Sequence, residues 1–300
     1  MAALAGGGAA LRRAVIEAED LVYVYHPGTP FEVRALDGVN LRVMEGEVLA
    51  VVGASGSGKS TLVQHFNGTL LPSSGRVRVL GVDTRQKGAP ARLWREVGLV
   101  FQQPEHQLFE ETVLEDVAFG PKNLGLAPQK ARERALWALE AVGLDPGEVA
   151  GLSPYSLSGG WRRLAAIAGV LALKPKVLVL DEPAAGLDPA GKRRIYRLLA
   201  RLRREHGTAV VLVTHDLEGV LGLAGRVAVM ARGRVTAWGE PGEVLSRAGE
   251  LEAAGLEVPL TVRLLNRLVA AGVPVKAGAL TVGEAVRQIA GAFGLEGGRG

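Results

Sequence analysis

The sequence contains no cysteine. That excludes a disulfide framework and any thiolate metal site, and it fits a reducing compartment, with the cytoplasm as the default. No stretch reaches the roughly 20 uninterrupted apolar residues that a membrane-spanning helix needs; the most apolar runs, such as Leu164 to Leu173, are short and flanked by charge. The chain is therefore not expected to cross a membrane itself. A secretory leader is not expected either, because the two Arg of the N-terminal arm follow its apolar residues, the reverse of the basic-then-apolar order. Dense Lys/Arg blocks with interleaved aromatics are also missing. The net charge of +4 and isoelectric point near 9.5 suit nucleic acid, anionic lipid or a plainly solvated Arg-rich surface, and alone decide nothing. No nucleic-acid partner is expected.

What is present is the composition of a globular protein. With 48% hydrophobic and 22% charged residues over 300 positions, one large α/β domain or two small ones can bury a substantial core. The start differs: Met1 to Ala10 is almost wholly Ala and Gly, so residues 1–14 are expected to form a flexible arm. Short Val-rich runs come next, at Val15 to Ile16, Leu21 to Tyr25, Val39 to Val43 and Val48 to Val52, and predict strands. Gly75 to Leu80 and Val97 to Val100 add two more. From Thr112 to Leu173 the period becomes helical, interrupted at Pro121, Pro128, Gly143 and Pro154, which predicts a helical insertion. Continuous apolar runs at Lys176 to Leu180 and Ala209 to Val213 flank a helix from Pro189 to Glu205, followed by strands near Arg226 to Met230 and Arg234 to Ala237. Runs of this kind alternating with helices predict a largely parallel sheet buried on both faces. Beyond Glu240 only helical pieces remain, at Glu243 to Arg247, Val258 to Ala271 and Val282 to Ala290.

Two motifs carry chemistry. Gly53-Ala54-Ser55-Gly56-Ser57-Gly58-Lys59-Ser60 directly follows the strand Leu49 to Val52 and opens a helix, the context a phosphate-binding loop requires. Its glycines let backbone N–H groups converge on phosphates, and the helix adds its positive end. Gly53, Ser55, Gly56, Gly58, Lys59, Ser60 and Thr61 are the expected nucleotide contacts. Lys59 pairs with β and γ oxygens, and Ser60 offers its hydroxyl to Mg²⁺, a cation that prefers hard oxygen ligands. The second motif is Asp181-Glu182, delivered by the apolar strand Lys176 to Leu180 to the strand end where ligands of open α/β sheets bind. Asp181 is expected to hold the metal and Glu182 to act as general base on the attacking water.

These motifs describe many nucleotide hydrolases; the segments between and after them narrow the class. Leu157-Ser158-Gly159-Gly160 resembles the signature of the ABC ATPases and opens the helix before the Asp181 strand. Tyr25 resembles the aromatic on which adenine stacks, and Gln102, in Val100-Phe101-Gln102-Gln103-Pro104, resembles the glutamine that reaches metal or water. Gly186-Leu187-Asp188 resembles the loop crossing the dimer interface, and His215 the switch histidine on the γ-phosphate. Taken singly, each has a plain structural role: a core aromatic, a loop residue, an N-cap before Pro189, a strand-end cap. The resemblance covers Leu21 to Gly242 and departs at Trp161, where the family usually has Gln.

The resemblance implies a P-loop ABC ATPase domain over residues 15–242, a RecA-like core with an antiparallel β subdomain and the insertion at about 102–173, followed by a small C-terminal helical extension over residues 243–300. It implies ATP and Mg²⁺ as cofactors, Glu182, His215 and Gln102 as catalytic residues, Ser60, Gln102 and Asp181 at the metal, and Ser158, Gly159, Gly160 and Asp188 presented to nucleotide on a partner. The rival readings are the ATPase of another class of ABC transporter, a soluble ABC protein acting on DNA or ribosomes, for which a second cassette or coiled-coil insertion is missing, and a non-catalytic binding module.

Gln102 to Val113 and Asp116 to Pro121 are similar to stretches of the ATPases that power energy-coupling factor importers of vitamins and transition-metal ions. The tail around Leu256, Val258-Pro259 and Leu280-Thr281-Val282 resembles the second of their two ATPase types. The implied partners are a second ABC ATPase subunit, in a homo- or heterodimer, a transmembrane coupling subunit and a substrate-binding membrane subunit, at the cytoplasmic face of the membrane. Glu105, Glu110 and Glu111 are expected to receive Arg from the coupling subunit. Val262, Leu264, Leu265, Leu268 and Val269 recur at helical spacing and serve either packing within the chain or the ATPase pairing that the family implies.

Overall fold

The computed structural model describes residues 13–276, 278 and 281–295; most of the expected N-terminal arm, Leu280 and the last residues of the extension lie outside these. Among the described residues, ten strands form two sheets. A four-stranded antiparallel sheet has the order β2-β1-β4-β5, with β1 Ala14–Tyr25, β2 Val33–Met44, β4 Ser74–Val79 and β5 Val82–Asp83. A six-stranded sheet has the order β10-β9-β3-β8-β7-β6, with β3 Val48–Val52, β6 Val97–Val100, β7 Val177–Asp181, β8 Ala209–Thr214, β9 Arg226–Ala231 and β10 Arg234–Gly239. All its neighbours are parallel except β9 and β10.

Alternation explains why the central strands are apolar throughout. Successive side chains of a strand point to opposite faces. Val48, Ala50 and Val52 of β3, with Leu178 and Leu180 of β7 and Val210 and Leu212 of β8, enter a core shared with the helical insertion. Leu49 and Val51, Val177 and Val179, and Val211 and Val213 enter a second core beneath the antiparallel sheet. Every position is buried, so a period of two leaves no polar stripe.

The helices are α1 Lys59–Gln64, α2 Ala89–Glu96, α3 Val113–Asn123, α4 Pro128–Val142, α5 Pro146–Val149, α6 Gly159–Leu171, α7 Pro189–His206, α8 Leu217–Val220, α9 Pro241–Ser246, α10 Ala248–Ala253, α11 Leu260–Ala270 and α12 Val282–Ala292. Helices α3 to α6 are the insertion. Ser158 caps α6 through Trp161 N–H at 3.3 Å, and Asp188 caps α7 through Gly191 N–H at 2.7 Å. Helix α7 ends at Gly207, whose φ of +64° a side chain would disfavour.

Some expectations needed revision. The two short strands at 15–16 and 21–25 are one strand: Glu19-Asp20 is an irregularity in which Asp20, at φ +46°, exchanges hydrogen bonds with Asn40 at 3.0 and 2.9 Å. Helices α2 and α10 were not anticipated, being only 8 and 6 residues long. Helix α9 runs across residue 242, and Val244 and Leu245 are buried in the insertion-side core. Of the periodic tail positions, Val262 joins that core, Leu265 forms a small cluster with Ala285, and Leu264 and Val269 remain exposed.

Ile167 is wholly buried where α6 joins the insertion to the sheet. Ile167→Ala is expected to cost about 2–5 kcal/mol of unfolding free energy in a denaturant titration; a change below 1 kcal/mol would show that this junction is loosely packed.

Candidate functional site

Four adjacent parallel strands end beside one another, and the chain leaving each end contributes to one open cleft of about 510 Å³. From β3 come Ser55, Gly56, Gly58, Lys59, Ser60 and Thr61; from β6 comes Gln102; from β7 come Asp181 and Glu182; from β8 comes His215. Tyr25, at the end of β1, lines it as well, and its hydroxyl lies 3.2 Å from Thr61 Oγ1. Asp188 and the Ser158-Gly159-Gly160 segment do not line this cleft. Ser158 and Gly159 are exposed to solvent.

The loop after β3 is held in shape by close packing. A Cβ on Gly53 would sit 2.2 Å from the Met230 carbonyl oxygen, and one on Gly58, already at φ +101°, would sit 2.7 Å from the Ala35 carbonyl oxygen. The turn between β9 and β10 clamps the loop from outside, with Gly233 N–H donating to Ser57 O at 3.0 Å. Inside the curl, Lys59 Nζ donates to Gly53 O and Ala54 O, each at 2.8 Å. Burial lowers the Lys59 pKa, opposed by the negative charge of Glu182 and Asp181. Burial likewise pushes the Asp181 carboxyl up, helped by Glu182 and opposed by Ser60 and Lys59. The cation and both carboxylates thus form one mutually compensating cluster.

Glu182 occupies the left-handed region at φ +51°, where residues with side chains are uncommon. Its carboxylate is fixed at both oxygens. Oε1 accepts from His215 N–H at 2.9 Å and lies 2.9 Å from His215 Nδ1, and the Thr214 hydroxyl donates to Oε2 at 3.3 Å. Thr214 was not anticipated as a site residue; its one sequence signal is a polar end to an otherwise apolar strand.

Magnesium has a chemically suitable but sparse donor set here. The Ser60 hydroxyl, the Asp181 carboxylate and the Gln102 amide border the same cleft, and among the described residues no cluster of three or more His, Cys, Asp or Glu could hold a metal alone. Such a set suits a cation that keeps several waters and takes its remaining ligands from phosphate.

One expectation is corrected. Glu105 is not a free acceptor for a partner's Arg: Arg163 of α6 grips it with both Nε, at 3.1 Å, and Nη2, at 2.9 Å. Arg163 is buried within the helix opened by Ser158 and takes its acid partner from 58 positions away, a pairing that no local sequence feature announces.

Residues 36–185 match the family model described as ABC transporter. The energy-coupling factor transporter ATP-binding protein EcfA2 of Symbiobacterium thermophilum is 50% identical over 91% of this chain and 94% of its own. The protein of that name from Caldanaerobacter subterraneus subsp. tengcongensis is 43% identical, over 91% and 96%. Among solved structures, cbiO1 of Clostridium perfringens, described as part of the ABC transporter complex cbiONQ, superposes with a TM-score of 0.70 at 38% identity, covering 86% of this chain and 99% of its own. A dimeric ATP-binding cassette in a post-hydrolysis state with ADP and Pi gives 0.68 at 30% identity, covering 75% and 98%.

Gly58→Ala tests the shape of the loop. It is expected to cost about 1–3 kcal/mol of stability and to abolish measurable ATP binding in calorimetry; wild-type affinity would show that the loop tolerates a side chain there.

Proposed function

We propose the following working cycle from the premise that this chain belongs to the ABC transporter ATPases, as an ATP-binding protein of the energy-coupling factor type that hydrolyses ATP to drive transport. ATP lies with adenine on Tyr25 and its phosphates in the curl of Gly53 to Thr61, where backbone N–H groups, the α1 terminus and Lys59 supply positive charge. Ser60, Asp181 and Gln102 would hold Mg²⁺, which would supply positive charge to offset that of the phosphates. Glu182 accepts a proton from the attacking water, with His215 and Gln102 placing water and γ-phosphate. Its rigid seating on Thr214 and His215 supports that role, since a general base must be held within hydrogen-bond reach of its proton.

The observation that carries the paired arrangement is the position of the Ser158-Gly159-Gly160 segment. It caps a helix N-terminus exposed to solvent and does not line the cleft of its own chain. In the proposed pair each cleft is closed by this segment from the partner ATPase, and Asp188 lies at the shared interface. Closure moves a transmembrane coupling subunit, and a substrate-binding membrane subunit carries the vitamin or metal-ion cargo. Support for a membrane-subunit contact comes from the insertion, where Phe109 and Phe119 pack edge to face at 4.9 Å yet are 58% and 39% exposed, beside Glu110 and Glu111. No helix among the described residues is long and apolar enough to cross a membrane; the proposed place of the chain, against the transmembrane coupling subunit, is peripheral, on the cytoplasmic face.

The C-terminal extension is proposed to steady the pair. Truncation after residue 242 would strip Val244, Leu245 and Val262 from the core, so exposed positions give the cleaner test. Leu264→Glu with Val286→Glu is expected to weaken nucleotide-free association about tenfold or more without lowering thermal stability; unchanged association in analytical ultracentrifugation would leave the extension a purely internal packing role. Glu182→Gln is expected to retain ATP binding and lose about 10²–10⁴ in turnover. A variant that hydrolyses ATP at the wild-type rate would remove Glu182 from the role of base.

A further inference from the structure

We propose that Arg163 is a positioning residue for hydrolysis, tying the segments that carry Gln102 and Glu182 to the helix that presents Ser158 to Gly160. Its side chain is only 10% exposed. Besides holding both carboxylate oxygens of Glu105, the guanidinium donates through Nη1 to the Ala185 carbonyl and through Nη2 to the Gln102 carbonyl at 3.4 Å. These acceptors lie on two separate stretches, one leaving β6 and the other leaving β7, and Gln102, Glu182 and Ala185 all line the cleft.

The geometry makes the tie selective. Ala185 N–H donates to Glu182 O at 3.2 Å, closing the turn that holds Glu182 at φ +51°. Arg163 fastens the far side of that turn. Helix α6 places Arg163 little more than one turn beyond the Ser158 cap, so the three segments share a single rigid post. A planar guanidinium with five donors can serve acceptors in different directions at once; a Lys ammonium keeps the charge but cannot span them. Burial pushes the Glu105 carboxyl up, yet the hydrogen bonds and charge of Arg163 outweigh it and hold the group below the usual carboxylate range. The pair is therefore ionised when intact. Loss of Arg163 leaves Glu105 uncompensated and the Glu182 turn unfastened, without removing any group that lines the nucleotide cleft.

This rests on the reading of the cleft as the site of ATP hydrolysis. The test uses the full-length chain in its transporter complex, comparing Arg163→Lys, Glu105→Gln and the double variant for KM, for kcat per titrated ATP-binding site, and for thermal stability. Expected are KM within about threefold of wild type, kcat per site lower by about tenfold or more in each single variant, and a double variant no slower than the worse single one. A staple that only stabilises the fold would lower the melting temperature and the number of binding sites, leaving kcat per site unchanged; that result overturns the proposal, as do additive losses in the double variant. Should Arg163→Lys fail to fold, Glu105→Gln alone decides by the same kcat criterion. A wild-type complex that binds no ATP would overturn the reading of the cleft as well.

Discussion

The conformation of the loop from Gly53 to Gly58 is the constraint on which the rest depends. It is wedged between the Ala35 region of β2 and the Met230 to Gly233 turn with no room for a Cβ at Gly53 or Gly58, so its backbone cannot relax into an ordinary turn. Only a chain in this shape turns its carbonyls toward Lys59 and leaves N–H groups for an anion. The remaining groups follow from topology. Strands β3, β8, β7 and β6 are neighbours running the same way, and their ends therefore deliver Lys59, His215, Asp181 with Glu182, and Gln102 to one edge of the sheet.

Electrostatics and packing work together at that edge. A buried ammonium and two carboxylates are costly apart and tolerable together, which is why burial shifts the Lys59 and Asp181 pKa values in opposite directions while each partly restores the other. A triphosphate with a divalent cation brings both kinds of charge to the same place. Glu182 differs, because its position is set by a strained backbone and by hydrogen bonds from the end of β8. Glu182 and the phosphate-binding loop are thus held by different elements, the end of β8 for the one and the contacts of β2 and the β9–β10 turn for the other.

Much of this was legible in the sequence where residue identity itself forces structure. Continuous apolar runs implied strands buried on both faces, and β3, β7 and β8 are entirely buried. The glycines and Lys59 specified the loop, and the ABC family reading is carried by the match over residues 36–185. Pairings across distant segments were not legible. The Asp20–Asn40 exchange that keeps β1 continuous joins residues 20 apart, and Arg163 meets Glu105 across 58 positions. Nothing local in either sequence segment names its partner. Glu105 was assigned outward for that reason, and Thr214 was overlooked because its role exists only once β7 and β8 lie side by side.

In the proposed pair, the phosphate cradle of one ATPase is completed by the Ser158 to Gly160 segment of its partner. Electron cryo-microscopy of the transporter complex held in Mg²⁺ and a non-hydrolysable ATP analogue measures this directly. The expected map places the Ser158 hydroxyl and the Gly160 N–H within about 2.7–3.2 Å of γ-phosphate oxygens, on a nucleotide whose other phosphates rest in the partner's loop. Fully occupied nucleotide with both groups facing solvent would contradict the account.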